Sequence, residues 1–220
     1  MNEYGVAWNA SRQRVSDLAI GTPLTELERI APLTPEWRVR DIVAHLVGVA
    51  QDVSTGNFPQ DFDAWTSDQV ERLRTIDAHA LVGQWQQFAL GEMLSESLAI
   101  ALFDQATHEA DIFHALGVPV ELDPATLALL SKFTLGRFGA TENDLHVTLT
   151  LDGQEFATGT GQHQVTLSAT AFEWFRASSG RRSVRQIEAM EWRSEVDVIE
   201  ILFRSGFFTP STHDVVELTR

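Results

Sequence analysis

Residues 37–53 read WRVRDIVAHLVGVAQDV, and this stretch decides the first part of the fold. Its apolar side chains recur at the three- and four-residue spacing of an amphipathic helix, at Val39, Ile42, Val43, Leu46, Val49, Ala50 and Val53. The preceding Thr34-Pro35 offers an N-cap and a first-turn proline, so we expect the helix to open there. His45 falls within the apolar stripe, and its side chain is therefore expected to point inward.

Further amphipathic segments of helical period flank this one along the chain, at residues 3–20, 67–85 and 92–116. The last of them ends at Gly117-Val118-Pro119, which is a typical helix stop. Four amphipathic helices with short connections predict an antiparallel four-helix bundle.

The period changes after about residue 120. One more helix is expected over 124–138, and the alternation of residues 146–151 before Asp152-Gly153 predicts a β-hairpin. Further strands are expected at 154–158 and 164–168 and helices at 170–178 and 183–191, whereas residues 196–203 fit either state. We therefore predict an α+β protein with three segments: a bundle over 1–120, a connecting helix and linker over 121–142, and a small α+β domain over 143–220.

Composition excludes several classes of function. The 220 residues carry a formal net charge of −15, which argues against a partner that is nucleic acid or an anionic membrane surface. The chain has no cysteine, so disulfides, thiolate metal ligands and a cysteine nucleophile are excluded. No apolar run is long enough for a membrane span, and the start of the chain does not have the pattern of a signal peptide. The expectation is a cytoplasmic protein.

The segment 92–116 carries Asp104, His108 and Asp111 on one helix face, because positions i, i+4 and i+7 fall within roughly 60° of one another. Buried charges are costly unless they are paired or bound to metal. A carboxylate and an imidazole that faced His45 from a second helix would form a metal site with three ligands and open positions. The alternatives are a solvated Asp104–His108 pair and a core His45 that is bonded to a backbone carbonyl.

A dense basic cluster follows the aromatic segment Phe172–Phe175, and it comprises Arg176, Arg181, Arg182 and Arg185. Two interpretations stay open. The cluster complements a helix C-terminus and nearby glutamates, or it forms a site for a carboxylate, since the guanidinium fork suits bidentate binding.

These segments also carry a resemblance to a known family. The stretches 37–48, 104–117 and 171–186 resemble, in order, three motifs of the mycothiol-dependent maleylpyruvate isomerase family. That family is similar to the DinB-like four-helix bundles and ends in a small sterol-carrier-like domain. The resemblance implies a divalent metal, typically zinc, held by His45, Asp104 and His108. The family pattern has glutamate where this chain has Asp104, and its site arginine corresponds to Arg181 or Arg182.

The resemblance implies an enzyme in which the metal lowers the pKa of a small thiol such as mycothiol. The resulting thiolate would isomerise a small carboxylate substrate or be transferred to it, and Arg181 or Arg182 would orient the substrate carboxylate. Two alternatives are a non-catalytic metal-containing module that binds a ligand or regulates, and a carrier of a small apolar ligand. The expected partners are small molecules, and the expected assembly is a monomer or a homodimer.

Overall fold

The computed structural model describes residues 1–58, 61–140 and 144–219. The chain forms two compact units: the first holds Met1–Glu121 and the end of the chain from Leu218, and the second holds Leu122–Glu217. Of the segments expected from the sequence, residues 141–143 and 220 lie outside the described residues. No helix in the described part of the chain combines the length and the apolar character that crossing a bilayer requires.

The first unit is helical, with one small hairpin. Its elements are α1 (Glu3–Gly21), α2 (Leu24–Leu27), β1 (Ile30–Ala31), β2 (Thr34–Arg38), α3 (Val39–Thr55), α4 (Phe62–Leu73), α5 (Ala78–Trp85), α6 (Leu90–Met93), a short 3-10 turn (Glu96–Leu98) and α7 (Ala99–Ala115). Helix α1 contacts α5 and α7, and both of these contact α3, so the four helices enclose a common core. Trp8, Trp85 and Ile42 are fully buried in this unit. The expected bundle is confirmed.

The start of the second bundle helix differs from the expectation. Residues 34–38 form β2 and pair antiparallel with β1, and α3 begins only at Val39. The backbone N–H of Arg38 donates to the Asp41 carboxylate at 3.0 Å, and this bond satisfies the donor that precedes the first turn. The prediction that Thr34-Pro35 opens the helix was wrong, because the chain reaches α3 through a strand.

The third and fourth helices also begin differently. The expected helix over 67–85 is divided into α4 and α5, and the Asp77 side chain accepts the backbone N–H of Ala80 at 3.0 Å to cap the second of them. The side chain of an N-cap aspartate accepts a backbone N–H of the first helical turn, which has no partner within the helix. A separate helix therefore begins after Asp77. Helix α7 begins at Ala99, after the separate short helix α6 and the 3-10 turn at 96–98.

The second unit is a four-stranded sheet with helices. Its elements are α8 (Pro124–Ala140), β3 (Leu145–Leu151), β4 (Gln154–Thr158), β5 (His163–Ala169), α9 (Ala171–Ser178), α10 (Val184–Glu188), β6 (Glu191–Ser194) and α11 (Val198–Phe203). The strand order is β4-β3-β5-β6, with β3 and β5 parallel and the outer pairs antiparallel. The hairpin turn is confirmed, since Asp152 and Gly153 both have positive φ, at 49° and 81°. The α+β class is confirmed as well.

Helix α8, which the sequence suggested as a connector, packs within the second unit. It contacts α9, β3 and β4. The indole N–H of the buried Trp174 on α9 donates to the Thr134 hydroxyl on α8 at 2.7 Å, so the two helices share a polar bond in their core. Strand β6 was not expected from the sequence, because four residues are too few to establish an alternating pattern.

Candidate metal centre

Two bundle helices bring three side chains together, His45 from α3 and Asp104 and His108 from α7. One nitrogen or oxygen atom of each lies within 4.8 Å of the others. The Nε2 atom of His45 is 3.3 Å from Oδ2 of Asp104, and the Nε2 atom of His108 is 3.6 Å from Oδ1. The three residues singled out in the sequence therefore share one site.

The helix spacing and the burial pattern explain this arrangement. Asp104 and His108 are separated by one helical turn and present the same face of α7. The histidine rings are enclosed, with 2% and 10% of the side chains exposed for His45 and His108, whereas 29% of the Asp104 side chain is exposed. Asp104 is thus the most exposed of the three side chains.

Trp37 covers the two imidazoles. Its ring centroid is 5.1 Å from that of His45 and 5.7 Å from that of His108, and the two histidine rings are 5.0 Å apart. Strand β2 places this indole beside the bundle. The aromatic wall excludes water from one side of the site, and electrostatic interactions strengthen where water is excluded. Sequence reasoning did not single out Trp37 as a site residue, although it begins the deciding stretch.

The His108 ring contacts a second carboxylate beyond the site. The fully buried Asp111 has Oδ2 3.3 Å from Nδ1 of His108. Burial lowers the pKa of His108, and it does so although Asp111 and Asp104 favour the charged ring. A neutral His108 ring whose Nδ1 faces Asp111 leaves its Nε2 atom available as a metal ligand. Carboxylates outside a metal site commonly orient metal-ligating histidines in this way.

Gln69 on α4 makes the corresponding contact with His45. Its Oε1 atom is 2.8 Å from Nδ1 of His45, and its Nε2 atom donates to Oδ2 of Asp52 at 2.9 Å. Sequence reasoning missed both residues. Asp52 follows His45 by seven positions and so shares its helix face, which is a signal that could have been found. Gln69 lies on another helix, and local spacing gives no signal for it.

The donor set fits a divalent metal. Two imidazole nitrogens and one carboxylate are the ligand types of catalytic zinc sites, which keep a fourth position open. Zinc–ligand bonds of about 2.0–2.1 Å at tetrahedral angles separate neighbouring ligand atoms by about 3.3 Å. Oδ1 of Asp104 lies 3.4 Å from Nε2 of His45 and 3.6 Å from Nε2 of His108, and both separations are close to this value. His45, Asp104 and His108 could therefore hold a metal ion.

The two arginines singled out in the sequence lie in the second unit. Arg182 is buried, and its guanidinium donates to Glu173 through Nε and Nη2, each at 2.7 Å, and to Glu217 through Nη1 at 2.7 Å. Arg181 is half-buried and donates to the Ser179 carbonyl at 2.8 Å. The bonds of Arg182 fit the charge-complementing interpretation of the cluster. A contact of either arginine with a substrate carboxylate stays a prediction.

Fold and site together define a protein with a four-helix bundle, a candidate metal centre of two histidines and one aspartate, and a small α+β second unit. Two solved structures share this fold. They are the mycothiol-dependent maleylpyruvate isomerase, at 15% identity and a TM-score of 0.54, and a histidine-to-alanine mutant of that enzyme, at 13% and 0.55. Each alignment covers 89% of this chain and 94% of the other.

The sequence comparisons add no relative to these. No family model and no curated protein matches the chain. At 13–15% identity the structural similarity establishes the fold, and the resemblance seen in the sequence is confirmed at that level. Fold does not determine function, so the activity has to be argued from the site itself.

Proposed function

We propose that this protein is a divalent-metal-dependent enzyme, with zinc as its metal, that uses a small thiol to isomerise a small carboxylate substrate or to transfer sulfur to it. The observation that carries the proposal is the convergence of His45, Asp104 and His108, whose ligand atoms lie within 4.8 Å of one another and are of the types that bind zinc. Structures of a mycothiol-dependent enzyme share the fold, and this supports a thiol of that kind as the cofactor. A cytoplasmic location and small-molecule partners belong to the same proposal.

His45, Asp104 and His108 would hold the metal, which when bound supplies a positive charge that favours the thiolate over the thiol. The chain has no cysteine of its own, so the thiol has to come from solution. Trp37, whose ring contacts that of His45, would keep water from one side of the site.

The proposed isomerisation needs no external oxidant or reductant. The thiolate adds to an electron-poor carbon of an alkene, and the electron pair of the double bond moves to the adjacent carbonyl. Rotation about the new single bond follows, and loss of the same thiolate restores the double bond in the other geometry. A cationic group near the substrate carboxylate would orient it, and Arg181 and Arg182 are the residues that the resemblance suggests.

Metal analysis of the untagged protein tests the proposal. We expect near-stoichiometric metal in the wild type and its loss in His45→Ala and His108→Ala. His114→Ala is the matched control, because His114 lies on the same helix but outside the cluster. A wild type that holds no metal after incubation with zinc, nickel or manganese would overturn the metal centre.

Turnover of small unsaturated acids, with and without added thiol, then separates the enzyme from a binding module. Thiol-dependent turnover that His45→Ala abolishes supports catalysis. Metal without turnover for any thiol and acid pair would favour the alternative, a non-catalytic metal-containing module that binds a ligand or regulates.

A further inference from the structure

A chain of polar contacts extends from His45 away from the proposed metal centre. Gln69 is fully buried between the His45 ring and the Asp52 carboxylate, at 2.8 and 2.9 Å. Arg72 and Asn57 both donate to the other Asp52 oxygen, Oδ1, at 3.0 and 3.1 Å. The carboxylate at the end of the chain is therefore held from three sides.

The chemistry of these groups fixes the direction of the two hydrogen bonds that Gln69 makes. A carboxylate accepts and does not donate, so the Gln69 amide must present its NH₂ group to Asp52. Its carbonyl oxygen then faces His45, and Nδ1 of the ring must carry the hydrogen. In the neutral ring the other nitrogen, Nε2, holds the lone pair. That is the nitrogen that lies 3.3 Å from Asp104.

The backbone of α3 is adapted to this contact. A Cβ atom on Gly48 would lie 2.7 Å from both Cβ and Cγ of Gln69, so only glycine lets the stem of Gln69 lie against the helix here. Gly48 is one turn from His45, and Asp52 is one turn further on. Three positions on one face of α3 thus contact the same glutamine.

We infer that Gln69, itself oriented by Asp52, is a positioning residue that holds His45 in the Nδ1–H tautomer and aims its Nε2 lone pair at the site. The inference rests on the proposed function in one respect, namely that a metal uses this lone pair. The tautomer belongs to the metal-free protein and can be measured without any ion. Outer partners of this kind typically change metal affinity by about 10–100-fold.

The test is long-range ¹H–¹⁵N NMR of the His45 ring in the metal-free full chain, in mildly alkaline buffer. We expect Nδ1–H in the wild type and a substantial Nε2–H population in Gln69→Leu. Gln105→Leu is the matched control, since Gln105 is an equally buried glutamine that donates to Ser11 at 3.1 Å, on a contact separate from the site. It should keep the wild-type tautomer.

A second variant keeps the test decisive if Gln69→Leu does not fold. Asp52→Asn preserves the volume but removes the requirement that the Gln69 amide face one way, so the Nε2–H tautomer should again become detectable. Zinc affinity should fall about 10–100-fold in the folded variants and stay unchanged in Gln105→Leu.

Two results would overturn the inference: an Nε2–H tautomer in the wild type, or a pure Nδ1–H tautomer that survives in the folded variants. If the wild type binds no zinc but shows the expected tautomers, the metal proposal fails and the positioning role of Gln69 stands. If zinc binds but the tautomer is the same in the wild type and the variants, the positioning role of Gln69 fails and the metal proposal stands.

Discussion

Gly48→Ala tests how closely α4 must approach α3. The added methyl carbon would lie 2.7 Å from Cβ and Cγ of Gln69, whereas carbon atoms in contact prefer about 3.5–4.0 Å. Relief therefore needs a displacement of about 1 Å. Both Gln69 atoms lie near its backbone, so a rotation of the far end of the side chain cannot provide it.

Two free-energy terms oppose each other in this variant. Overpacking typically costs about 1–3 kcal/mol, while replacing glycine by alanine within a helix gains about 1 kcal/mol. The expected net loss in free energy of unfolding is about 0–2 kcal/mol. The effect on the site is sharper, because the same displacement stretches the 2.8 Å contact between Gln69 and His45 beyond hydrogen-bond range.

Urea unfolding of the metal-free protein and zinc competition titrations measure both effects. Zinc affinity should fall about 10–100-fold, as for Gln69→Leu. Gly83→Ala on α5 is the control, because a Cβ there meets no atom of the described residues within 4 Å outside its own helix. It should stabilise the protein by up to about 1 kcal/mol and leave zinc affinity unchanged. A Gly48→Ala protein with the same gain and wild-type affinity would refute the reasoning.

Three further changes probe other contacts. Arg182→Gln should lower the free energy of unfolding by about 3 kcal/mol in urea titrations, the low end of a broken buried ion pair, because Glu173 keeps contact with water. Burial lowers the pKa of His108, so the unfolded chain takes up this proton at higher pH than the folded one. Stability of the metal-free protein should therefore fall as pH drops below about 6.5, and less so in His108→Gln. Asp104→Glu should retain zinc in a competition titration, whereas Asp104→Asn should lose more affinity than the about 10–100-fold typical of an outer partner.

Each of these has a contrary result. For Arg182→Gln, the contrary result is a loss in free energy of unfolding no greater than that of Arg204→Gln. Arg204 forms an exposed ion pair with Glu200, and such a pair contributes about 0–1 kcal/mol. For His108 it is an identical pH dependence in the wild type and the glutamine variant. For Asp104 it is equal zinc affinity in the asparagine variant and the wild type.

The sequence predicted what depends on local periodicity. The stripe around His45 and the one-turn spacing of Asp104 and His108 follow from the 3.6-residue repeat, and the structure bears out both faces. That the two faces meet is a property of helix packing, which no local pattern encodes. The prediction that the two faces meet came from three motifs that occur in the order of a known family.

The features that were missed depend on contacts between segments distant in sequence. The strand at 34–38 exists because it pairs with 30–31, and its Thr34-Pro35 start is equally typical of a helix opening. Gln69 stands in a polar stretch like many surface glutamines. Gly48 leaves the space in which Gln69 is buried, and this role of Gly48 depends on the packing of α4 against α3.

The uneven exposure of the three site residues has a kinetic consequence. Both rings are nearly enclosed and lie beside Trp37, while Asp104 is the most exposed of the three side chains. An ion held among these groups would have little contact with solvent, so a chelator should remove it slowly. Because Asp104 is the most exposed of the three, a change there should alter the rate of metal exchange even where it leaves the equilibrium affinity intact.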